Sequence, residues 1–142
     1  MTPTLSGRIQ TRLFLLITVG LAWTVVVVPF LPRFGAPVGD VYGIALVALF
    51  LVGLLGVGWE LLYHWIQQYR WEKDWPILLG LVTGIPELLV LYVALALVVN
   101  PAPNVVTVLF HFASTWIVMW LVANGPLRVV FIRWRYRGGR IL

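Results

Sequence analysis

Residues 77–99 read Ile77-Leu78-Leu79-Gly80-Leu81-Val82-Thr83-Gly84-Ile85-Pro86-Glu87-Leu88-Leu89-Val90-Leu91-Tyr92-Val93-Ala94-Leu95-Ala96-Leu97-Val98-Val99, with Glu87 as the one charged side chain in the run. A bilayer's hydrocarbon core of about 30 Å is crossed by roughly 20 helical residues at 1.5 Å rise, and this run meets that length. Three more stretches do so: about Leu13 to Phe30, Val41 to Tyr63, and Val105 to Ala123. The links between them hold residues that end helices, namely Pro32, Gly35 and Pro37, then Pro76, then Pro101 and Pro103, with Asn124-Gly125-Pro126 after the fourth. The expected fold is all-α: one transmembrane domain of four helices over residues 1–142, followed inside it by a basic tail at 127–142.

Composition agrees. Of 142 residues, 61% are hydrophobic and 11% charged, and the mean hydropathy is +0.97. Soluble domains carry about 25% charge, and a small one could not bury this much apolar surface. The absence of cysteine excludes a disulfide scaffold. Arg8 and Arg12 before the first apolar run mimic a signal peptide, but a run of about 18 residues exceeds the usual h-region of about 7–15. Residues Leu31 to Ala36 also lack a small-x-small cleavage pattern, so a retained first helix is expected.

Basic residues favour the cytoplasmic side. Arg8 and Arg12 precede the first span, Arg70 and Lys73 lie between the second and third, and Arg128, Arg133, Arg135, Arg137 and Arg140 follow the fourth; only Arg33 lies opposite. Both termini are therefore expected in the cytoplasm of a bacterial-type cell, with the chain in its plasma membrane. Trp59, Tyr63, Trp65, Tyr69, Trp71 and Trp75, with Trp120, Trp134 and Tyr136, supply an aromatic belt on the same side.

Glu87 carries the most chemical information. A mid-membrane acid costs on the order of 2.5–3.5 kcal/mol on insertion scales and must find a partner. With the first span starting at Leu13, no Lys or Arg lies inside any span, so the expected partners are a hydrogen-bond donor, a bound cation or a basic residue from another chain. Pro86 predicts a kink, and Gly80 and Gly84 form a GxxxG pair that admits a neighbouring helix. His111, with Ser114 and Thr115 on an adjoining face, lies near enough in depth to contact Glu87. This cluster reads either as an ion or proton site or as a packing joint. Gly53, Gly56 and Gly58 in the second span read as close helix contact.

Cofactor chemistry finds no support in the residues. Bis-histidine haem ligation needs two histidines at one depth, whereas His64 and His111 fall near opposite interfaces. Glu60 and His64 share a helix face as a metal half-site, or hydrogen-bond each other. No Gly-rich phosphate loop, nucleophile–base set or metal-ligand cluster occurs, so no enzyme, cofactor or metal is expected. Leu127, Val130, Phe131 and Trp134 recur at i, i+3, i+4 and i+7, the apolar stripe of a short interfacial amphipathic helix. Its arginines, with Arg70 and Trp71 of the second link, suit anionic lipid or an acidic partner surface rather than nucleic acid. The leading expectation is a non-catalytic accessory subunit that packs with other membrane subunits. The alternative is a homo-oligomeric proton- or cation-handling transporter or channel using Glu87.

Overall fold

The computed structural model describes residues 4–69 and 76–141. It is all-helical, and no strand occurs among those residues. Four helices are long and apolar enough to cross a membrane: α1, Leu5–Phe30; α2, Val38–Gln68; α3, Ile77–Val98; and a fourth hydrophobic stretch, Val105–Val130. The last divides at Gly125 into α4, Val105–Asn124, and a short α5, Pro126–Val130, after which α6 covers Ile132–Tyr136. α1 packs against α2 and α4, and α3 also packs against α2 and α4, closing a four-helix bundle. Its main core holds Leu15, Leu49, Val52, Leu91, Leu95 and Phe112. A second cluster of Val28, Leu31, Val41 and Ala45 closes the end remote from the termini.

The helices outrun the apolar stretches at one end. α1 begins at Leu5, where the Thr4 hydroxyl accepts the Gly7 N–H as an N-cap. Arg8 and Arg12, expected before the first helix, thus lie within it. α2 likewise continues past Tyr63 to Gln68. α1 also contains a π-helical turn, Leu16–Gly20, which the sequence reading did not anticipate. The Thr24 hydroxyl bonds the Gly20 carbonyl at 2.8 Å at its end.

Pro86 has the effect its chemistry demands. It has no N–H to offer the Val82 carbonyl, and α3 divides at Thr83 into Ile77–Val82 and Gly84–Val98. Carbonyls on the first segment are met from α4: Trp116 Nε1 donates to Leu81 O at 3.2 Å, and Trp120 Nε1 to Ile77 O at 3.0 Å.

The tail departs from expectation. A single amphipathic helix over its stripe is replaced by two short ones broken at Phe131, whose ψ of 68° is not helical. Leu127 and Trp134 are buried and Phe131 packs edge-on to Phe14, but Val130 is exposed. The tail folds back on α1. Thr4 N–H donates to Gly138 O at 2.9 Å, the Thr11 hydroxyl to Gly139 O at 2.8 Å, and Trp134 Nε1 to the Thr11 hydroxyl at 2.8 Å. Gly138 and Gly139 turn the chain with positive φ of 62° and 87°, and Gly7 lies so close to Gly138 O that no side chain fits there.

Candidate functional site: a buried ion-pair network beside a cavity

Glu87 has a partner in its own chain, contrary to the expectation that none could reach it. Arg12 Nη1 and Nη2 donate to Glu87 Oε2 and Oε1 at 2.7 and 2.8 Å. The expectation failed because it counted Arg12 as lying before the span. Helix α1 in fact carries it into the bundle, and the long arginine side chain supplies the remaining reach. Arg12 Nε also donates to Glu60 Oε1 at 2.8 Å. Arg8 Nη1 reaches Glu60 Oε2 at 3.3 Å, and its Nη2 donates to Gln67 Oε1 at 2.9 Å. The Tyr63 hydroxyl donates to Glu87 Oε1 at 3.2 Å. Two arginines and two glutamates therefore neutralise one another, each with a side chain no more than 9% exposed.

Local sequence explains how a guanidinium fits inside a helix bundle. Gly56 of α2 leaves the space: a Cβ there would stand 2.6 Å from Arg12 Cδ. Trp116 of α4 covers the group, its ring centre 5.4 Å from Arg12 Cζ, a cation–π placement. Trp116 in turn needs Gly84, where a Cβ would lie 2.6 Å from its Nε1. Gly80, one turn earlier, is looser: a Cβ there would lie 3.7 Å from Trp120 Cδ1, an ordinary contact. Within the GxxxG pair it is therefore Gly84 that seats an indole, that of Trp116. At Gly53 a Cβ would stand 3.1 Å from Leu16 Cδ2.

The polar residues expected to join Glu87 form a separate layer. His111 Nε2 is 2.9 Å from the Thr24 hydroxyl. That hydroxyl also lies 2.8 Å from the Gly20 carbonyl, which can only accept. Ser114 accepts from Trp23 Nε1 at 3.1 Å and donates to the His111 carbonyl. Thr115 is buried with its hydroxyl unpartnered. Thr24 is twelve residues from Arg12 along α1, about 18 Å at 1.5 Å per residue. None of these three residues hydrogen-bonds Glu87. Glu60 and His64 do not pair either, since Glu60 is held by the arginines and His64 Nδ1 is buried without a partner.

The residues missed by sequence reading were Arg8, Arg12, Glu60, Tyr63, Gln67 and Trp116. A signal was present. Arg8 and Arg12 are four apart, and Glu60, Tyr63 and Gln67 follow i, i+3 and i+7, so each set shares one helix face.

Beside the network, at the end where the termini meet, lies a cavity of about 400 Å³ lined by Arg8, Arg12, Glu60, Trp120, Asn124 and Arg128 among others. Arg128 Nη2 donates to Asn124 Oδ1 at 2.7 Å. Arg133, Arg137 and Arg140 are exposed at that end. Arg70 and Trp71 lie outside the described residues, as does the side chain of Arg135. Among the described residues no group of three His, Cys, Asp or Glu side chains is placed to hold a metal ion. Compared with protein-family models, with curated proteins and with solved structures, the chain matches none.

Proposed function

We propose that this chain is a small non-catalytic accessory or assembly subunit of a larger complex in a bacterial-type plasma membrane, with both termini cytoplasmic. The observation that carries the reading is the internal neutralisation of its buried charges. The Glu87 carboxylate accepts three hydrogen bonds, two from Arg12 and one from Tyr63. To cycle a proton or strip a cation of water it would have to abandon a bidentate arginine, the strongest class of side-chain hydrogen bond. That commitment favours a subunit over a transporter or channel built on Glu87, because the charges serve to fasten α1, α2 and α3 together.

Topology and contact surface support the same reading. Arg8, Arg12, Arg128, Arg133, Arg137 and Arg140 share one end of the bundle, opposite Arg33, the asymmetry that directs arginine-rich ends inward. That end also displays the edge-on pair Trp65 and Tyr69, with ring centres 5.0 Å apart, both exposed, together with exposed Tyr136. Exposed aromatics beside arginines are the composition of protein contact surfaces. The test is extraction in mild detergent at native expression levels, followed by native electrophoresis. The chain is expected to migrate within a larger assembly that loses members when it is deleted. Migration of the chain by itself, with every membrane complex intact after deletion, refutes the reading.

A further inference from the structure

The cavity at the termini end has a volume of about 400 Å³, inside the about 300–1,000 Å³ range of small-molecule sites. Its wall is mixed: Arg8, Arg12, Arg128 and Glu60 contribute charge, while Leu15 and Met119 are apolar. Polar walls of this kind must be solvated or liganded, since an unmet buried donor is costly. Most of the lining groups already have partners. Arg8 and Arg12 face Glu60, Trp120 donates to Ile77 O, and the Asn124 amide donates to Trp120 O at 2.9 Å.

Arg128 differs. Its partner is the neutral Asn124 oxygen, and no described carboxylate forms an ion pair with it. A guanidinium has five N–H donors, and a single bond to Asn124 orients the group while leaving most of them for a ligand. Arg8 and Arg12 are balanced by Glu60 and Glu87, so Arg128 gives the chamber wall one uncompensated positive charge, which favours an anion over a cation. The planar donor fork of arginine matches the oxygens of a phosphate. The apolar part of the wall accepts carbon next to that phosphate. We propose that this cavity is a binding site for one phosphate ester, held by Arg128 with Asn124 bracing it. The site does not depend on the chain working within a larger complex.

An anionic phospholipid and a soluble phosphate ester share this chemistry, and one experiment separates them. The full chain in mild detergent is titrated with dioleoyl-phosphatidylglycerol, dioleoyl-phosphatidylcholine and glycerol 3-phosphate, and bound species are read by native mass spectrometry. One saturable phosphatidylglycerol or one glycerol phosphate per chain is expected, in preference to phosphatidylcholine. Arg128→Gln lowers that affinity about tenfold, whereas Arg33→Gln, at the other end, leaves it unchanged. Ala123→Leu fills the cavity without touching a charge and lowers it too, so the proposal stays testable if Arg128→Gln fails to fold. Binding of phosphatidylglycerol that glycerol phosphate does not displace assigns the site to lipid; displacement assigns it to the ester group itself. Equal retention of both lipids with no glycerol phosphate bound overturns the proposal. So does parental affinity in the folded variants.

Discussion

Arg12→Met is expected to lower the unfolding free energy by about 3–5 kcal/mol, the loss found when one partner of a buried ion pair is removed. The variant leaves Glu87, 3% exposed, without the two donors that neutralise it, and takes from Glu60 its shortest contact. Methionine fills most of the aliphatic volume beside Gly56 and beneath Trp116, so lost packing contributes little. The larger part of the loss is therefore electrostatic. The paired variant Arg12→Met, Glu87→Met separates the two contributions. With both charges gone, the desolvation cost disappears as well, and stability is expected to return to within about 1–2 kcal/mol of the parent. Arg8 still holds Glu60 in that background. The measurement is denaturation in detergent micelles followed by tryptophan fluorescence. A single variant as stable as the parent, or a double variant no better than the single, contradicts the assignment of Arg12 as the neutralising group.

This network marks where the sequence was readable and where it was not. The four spans were legible because length and apolar content are local properties, and Pro86 announced the break at Thr83. Span edges were not legible at the charged end. Hydropathy stops at Leu13, but hydrogen bonding within the helix does not, so Arg8 and Arg12 entered the bundle unseen. Partner choice was hidden for the same reason: Arg12 and Glu87 are 75 residues apart, and nothing local joins them. Glu87 and His111 were grouped by estimated depth, which fixes height in the bundle but not the facing side chain. The π-turn at Leu16–Gly20 lies on α1 between Arg12, which holds Glu87, and Thr24, which bonds His111, and it shifts the helical register between those two positions. Tyr63, Trp120 and Trp134 read as lipid anchors by type, yet each donates a hydrogen bond inside the protein. Amphipathic rings serve either purpose, and only packing distinguishes them.

Gly84→Ala is the second substitution with a large expected effect, and its sign is the informative part. Alanine is a better helix former than glycine by up to about 1 kcal/mol, so an α3 position free of contacts would gain stability. Position 84 is not free. The added Cβ would lie 2.6 Å from Trp116 Nε1 and 2.8 Å from its Cδ1, inside van der Waals contact. The indole has little room to retreat, because it stacks on Phe112 with ring centres 5.4 Å apart, bonds Leu81 O and covers Arg12. Forcing a methyl into such a seat costs about 1–3 kcal/mol, which exceeds the propensity gain, so the variant is expected to lose stability in the same denaturation assay. Trp116→Leu removes the obstructing ring. In that background the clash is gone and only helix propensity remains, so Gly84→Ala is expected to become neutral or stabilising. The reversal of sign between the two backgrounds is a coupling that contact alone produces. If alanine is destabilising by the same amount whether or not Trp116 is present, the glycine is required for some reason other than seating the indole, and the role assigned to Gly84 fails.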